Sequence, residues 1–222
     1  MALMSTPDAQ QKMMGSLQAP ADSTLSKVMT KAQLDSVDVL LKDLTGGQAS
    51  IAMMEPMKPS ILNMQLVMLE NMKLFPGFNP QEQLDAMVQD EARAAGKAIG
   101  SFETMEEQID LLYNKPITTQ VKELMETVRD FKTEAEDTRK LANAYSTQNM
   151  DEMTEMFDKQ YKENPEELEE LLYKRNDNWL KIIKAQMPQE TMFICVGAGH
   201  LVGDRGLLKQ LSNAGYTVEP VK

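Results

Sequence analysis

The chain has 222 residues, enough to bury a real hydrophobic core, and carries 34 acidic against 23 basic residues for a formal net charge of -11. That balance argues against a nucleic-acid surface or an anionic membrane surface, and polyanions are excluded as partners. No run of about 18 apolar residues offers a membrane span, no basic-then-apolar leader marks a secretion signal, and a single cysteine, Cys195, allows no intrachain disulfide.

In chain order, residues 1 to 22 read as a partly helical lead-in, with Thr6-Pro7-Asp8 opening a helix that runs to Gly15. Leu25 to Met29 is a short element. Thr30 is placed to cap a helix over 31–44, with Leu34, Val37, Leu40, Leu41 and Leu44 on one side and Gly46-Gly47 as its stop. After Pro56 and Pro59, residues 60–74 carry Ile61, Leu62, Leu66 and Leu69 with a methionine stripe at Met64, Met68 and Met72, the spacing of one helix face. A second stripe, Met150, Met153 and Met156, lies further on. Nineteen methionines scattered at helical spacing read as adaptable packing rather than as soft metal ligands. A helix from Leu84 to Ala95 stops at Gly96.

Ala98 to Phe102 then reads as a buried strand, with Glu103 at its C-terminal tip and Thr104 capping a helix whose capping-box residue is Glu107. From 115 to 188 strand signals vanish and helical periodicity with dense charge takes over: one long helix or two over 117–145, one capped by Asn149, and one opened by Pro165 that runs to Met187. The acidic runs Glu134 to Asp137 and Glu166 to Glu170 read as solvated faces. Within the last helix stands Arg175-Asn176-Asp177-Asn178-Trp179. Arginine is scarce, five against eighteen lysines, so a guanidinium here is a candidate for holding a carboxylate, with Trp179 packed beneath it.

Phe193-Ile194-Cys195-Val196 is the strongest strand signal, a buried run with Cys195 as a small hydrophobe. It leads into Gly197-Ala198-Gly199-His200, which presents the sole histidine at a glycine turn. Gly203 and Gly206 bracket Asp204-Arg205, a short amphipathic helix follows to Gly215, and Tyr216-Thr217-Val218 reads as one more strand. The expected fold is therefore α/β (α+β), a mixed sheet with a large helical insertion over 115–188, predominantly helical by residue count, in a single domain over 1–222. Glu103 and His200 at two strand tips fall where α/β sheets bind ligands.

The segments 100–108, 175–179, 196–208 and 215–218, with Leu84-Asp85 and Gly96-Lys97, resemble the TraB/GumN family, which includes the pheromone-shutdown TraB/PrgY proteins and is related to the Tiki metalloproteases. The resemblance implies a hydrolase, a metal-dependent peptidase acting on a peptide or protein. His200 and Glu103 would ligate a divalent metal (Mn, Co or Zn). Glu103, Arg175 and His200 would be catalytic, and Gln108, Asn176, Gly197 and Gly199 would support them. It also implies an exported or cell-envelope place in a bacterium and allows a homodimer. Family members open with a strand bearing a first Gly-x-x-His turn and another bearing a glutamate. Neither is in this sequence, so the site is expected to be incomplete in this chain. The alternative function is non-catalytic peptide binding or sequestration, with a methionine-lined groove formed by the helices of 117–187.

Overall fold

A computed structural model describes residues 15–221, so the helix expected from Thr6-Pro7-Asp8 lies outside the described residues. The chain divides into two compact units, Met1–Asp137 and Thr138–Lys222.

The first unit is built from helices whose ends were written locally. After α1 (Leu25–Val28), Thr30 caps α2 (Lys31–Thr45): its hydroxyl accepts from the Gln33 amide at 3.3 Å, and the Gln33 side chain accepts from the Thr30 amide at 2.8 Å. The helix stops at Gly46, whose φ of 61° is left-handed and costs glycine nothing. A 3₁₀ turn (Ile51–Met54) and α3 (Pro59–Leu74) follow, with Pro59 at the position where its missing N–H does no harm. Leu25, Met29, Val37, Leu41, Leu62, Leu66, Val121 and Leu124 close into one core, each fully buried aliphatic contributing about 1.5–3 kcal/mol. The last two belong to α6 (Ile117–Ser146), a single 30-residue helix. Between α3 and α6 lie α4 (Leu84–Ala94), which buries none of its residues, and α5 (Met105–Tyr113), started by the capping box of Thr104 and Glu107.

The second unit takes the end of α6, then α7 (Met150–Glu163), capped by Asn149, whose side-chain oxygen accepts from the Glu152 amide at 3.2 Å. Pro165 opens α8 (Pro165–Leu168), which passes through a π-helical turn (Glu169–Tyr173) into α9 (Lys174–Gln186). An extended stretch leads to a 3₁₀ turn (Ala198–His200) and then α10 (Leu207–Asn213). Ala144, Met153 and Val202 are buried together, with Leu141, Phe157 and Ala198 packed on them.

The expected mixed sheet is overturned. Among the described residues the only strand-like pairing is an isolated antiparallel bridge between Gln18 and Met57. The three segments read as strands, 98–102, 193–196 and 216–218, belong to no ladder. They are not buried either: Phe193 is 81 % exposed, Ile99 43 % and Val218 40 %, and Cys195, read as a small buried hydrophobe, is exposed. The reason is physical. An apolar run satisfies its own backbone only as a helix, whereas strand character is realised only when a neighbouring backbone supplies the ladder. The helices expected over 115–188 do form. No helix among the described residues is long and apolar enough to cross a membrane.

Candidate functional site

The second unit gathers its polar chemistry on one short turn. The chain folds at Gly197 into a 3₁₀ turn that the His200 amide closes by donating to the Gly197 carbonyl at 2.9 Å. Gly199 is closely packed: a Cβ there would lie 2.9 Å from Cζ of Phe157 on α7, so that ring would have to tilt. The turn thereby turns the His200 ring inward, 6 % exposed, against α9.

Asn176, wholly buried on α9, fixes the imidazole. Its Nδ2 donates to two carbonyls, those of His200 at 3.2 Å and Arg205 at 3.0 Å. Both partners only accept, so the amide orientation is set and its Oδ1 is the atom 2.7 Å from His200 Nδ1. Oδ1 accepts, hence Nδ1 carries the proton. On the other side of the ring, Nη1 of Arg175 stands 3.3 Å from Nε2 and also donates to the Leu171 carbonyl at 2.8 Å. A guanidinium only donates, so Nε2 is the acceptor. These two partners assign the ring the Nδ1–H tautomer, with the Nε2 lone pair facing a cation. Trp179 completes the group, its ring centroid 4.3 Å from that of His200 and 4.8 Å from the Arg175 guanidinium carbon.

The π turn places Leu171 and Arg175 in this relation and delivers a second cluster. Arg205 is bound through Nη1 and Nη2 to the two carboxylate oxygens of Glu169, reaches Asp177 Oδ2 at 3.2 Å, and lies 4.5 Å from the Tyr173 ring centre. Hydrogen bonding to Glu169 raises the Arg205 pKa above the ordinary arginine value, and burial pushes the Tyr173 phenol up. The reading of Glu166 to Glu170 as a solvated face missed Glu169. The same scarcity of arginine that marks Arg175 in the sequence marks Arg205 as well.

Of the residues expected from the sequence, Arg175, Asn176, His200, Gly197 and Gly199 meet in the second unit. Glu103 belongs to the first, at the approach to α5, where Gln108 Nε2 donates to its Oε2 at 3.4 Å and its amide donates to Ser101 Oγ at 3.2 Å. A divalent cation needs several lone pairs converging. In the second unit the imidazole offers one, at Nε2, and a guanidinium opposes it; the carboxylates of Glu169 and Asp177 are held by Arg205. No group of three His, Cys, Asp or Glu among the described residues is arranged to hold a metal. This donor set does not fit a metal ion.

The second unit is thus a helical scaffold that holds one buried histidine between an asparagine and an arginine on a glycine turn. The TraB/PrgY/gumN family model matches residues 2–220, and the chain belongs to that family. Neither a curated protein nor a solved structure matches it.

Proposed function

We propose that this chain hydrolyses peptides, with His200 as proton acceptor and Arg175 as the donor that steadies the oxyanion. The observation behind this reading is the placement of His200, with Nδ1 2.7 Å from Asn176 Oδ1 and Nε2 3.3 Å from the Arg175 guanidinium, which assigns the Nδ1–H tautomer. An imidazole in that form takes a proton from water as the water oxygen bonds to the substrate carbonyl carbon, once the Arg175 N–H has left Nε2 for the substrate carbonyl oxygen. The imidazolium that results is stabilised by Asn176 Oδ1 and by the Trp179 face. Negative charge passes to the carbonyl oxygen, where an Arg175 N–H donates. When the C–N bond breaks, the leaving amine takes the proton from Nε2, which restores the neutral ring and leaves a carboxylic acid and an amine.

The test is cleavage of a peptide library followed by mass spectrometry, with His200→Ala and Arg175→Lys beside the parent chain. His200→Ala should lose ~10²–10⁴ in kcat, and Arg175→Lys ~10²–10³. Cleavage undiminished in His200→Ala refutes the reading; binding of peptides without cleavage, unchanged by that substitution, supports capture instead. The metal-dependent form is tested by titrating Mn²⁺, Co²⁺ and Zn²⁺ calorimetrically. Because Arg175 competes for Nε2, binding should be weak in the parent and tighten in Arg175→Ala; tight binding in the parent, lost in His200→Ala, would restore the metal reading.

A further inference from the structure

A second set of charge-assisted bonds lies beside His200 in the second unit. It centres on Arg205, which joins four pieces of backbone. The guanidinium ties the π turn at Glu169 to α9 at Asp177 and lies on Tyr173, while the Arg205 carbonyl accepts from Asn176 Nδ2 at 3.0 Å and from Gln210 Nε2 of α10 at 2.9 Å. Gln210 Nε2 also reaches Asp177 Oδ1 at 3.0 Å, closing the ring of contacts. A bidentate guanidinium–carboxylate pair fixes orientation as well as distance, which a lysine cannot do.

The consequence runs through the backbone. The Arg205 carbonyl is one of the two acceptors that orient the Asn176 amide, and that orientation alone places Oδ1 rather than Nδ2 against His200 Nδ1. If the guanidinium let go, the turn over 201–206 would lose its anchor to α9 and the carbonyl would shift. The amide could then swing, the Nδ1–H would lose its fixed acceptor, and only the Arg175 N–H would still oppose a proton at Nε2. We infer that Arg205 is a positioning residue, whose clamp on Glu169 and Asp177 sets the His200 tautomer through its own carbonyl and Asn176.

The functional weight of this inference rests on His200 as proton acceptor, but its test does not. His200 is the sole histidine, so long-range ¹H–¹⁵N correlation on histidine-labelled protein reports one ring only. The parent should show the Nδ1–H form. Arg205→Gln should show a mixture with Nε2–H, Arg205→Lys an intermediate, and Glu169→Gln a shift in the same direction. Ile183→Val, which loosens the buried face of α9 without touching the clamp, should leave the tautomer alone. If Arg205→Gln does not fold, Arg205→Lys and Glu169→Gln decide. An unchanged tautomer in the folded variants overturns the inference, as does the same shift in Ile183→Val. Where the parent cleaves peptides, Arg205→Lys should lower kcat ~10-fold with KM little changed, the effect of a misplaced group rather than a lost contact. A tautomer shift in a parent chain that cleaves nothing would sustain the positioning role and defeat the hydrolase reading alone.

Discussion

Replacing Asn176 with alanine removes three hydrogen bonds from a fully buried position: those to the carbonyls of His200 and Arg205, and the one accepted from His200 Nδ1. The Arg205 carbonyl keeps its bond from Gln210 Nε2, whereas the carbonyl and Nδ1–H of His200, a residue 6 % exposed, lose Asn176, and an orphaned buried polar group costs about 1–3 kcal/mol. Two such groups at the lower end give ~2 kcal/mol, which for a chain of this size lowers the melting midpoint by roughly 4–8 °C. Trp179 is the sole tryptophan and stacks on His200, so its fluorescence follows the second unit through the transition. Urea titration at neutral pH should show a lower midpoint with an unchanged slope. Asn176→Asp separates the terms. It keeps the shape but turns an acceptor toward two carbonyls, and it places a carboxylate by Nδ1 that favours the imidazolium. A proton affinity raised by folding contributes stability below the unfolded histidine value near 6.5, lost as pH rises through the folded value. The aspartate variant should therefore compare better with the parent at pH 5 than at pH 8. A loss under about 0.5 kcal/mol in the alanine variant, with the tautomer unmoved, would refute the account, since an orphaned buried group costs more than that.

Gly206→Ala should prevent the second unit from folding, because the added Cβ would stand 2.3 Å from the carbonyl oxygens of Leu201 and Val202, and backbone cannot withdraw; a native circular dichroism melt would refute this. Gly199→Ala is milder: the Phe157 ring can tilt, so a loss of about 1–3 kcal/mol is expected by chemical denaturation, with His200 displaced in the NMR spectrum. In the first unit, Lys42 and the Ile51 amide hold the Asp38 carboxyl below its ordinary 3.8, and Ser26 holds Glu55 below 4.5. Depressed carboxyl values contribute stability at neutral pH that is lost as pH falls through the folded values, so Asp38→Asn and Glu55→Gln should flatten the acid limb of the stability curve below about pH 4. A parallel displacement of the whole curve would contradict that.

Most helix ends were legible in the residues. Thr30 with Gln33, Thr104 with Glu107, Asn149, Pro165 and Gly46 act on backbone groups within four positions of themselves, so the sequence carries cause and effect in one window. The strands were misread for the complementary reason. Phe193 to Val196 has the composition of a buried strand, yet ladder partners and burial are supplied by other parts of a structure, and here the run pairs with no strand, Phe193 and Cys195 exposed and Ile194 and Val196 half-buried. The candidate site divides the same way. Its glycine turn, its one histidine and its rare arginine were visible as residues. That Asn176 reads two carbonyls 24 and 29 positions away, that Arg175 faces Nε2, and that Arg205 locks Glu169 to Asp177 could be decided only by the packing of α9 against the turn. The sequence by itself determined where the chain becomes helical and which side chains are chemically able to act, because capping and charge are local. Tertiary structure decided which of them meet and which nitrogen holds the proton, because a hydrogen bond across tens of residues exists only once the core has fixed both ends.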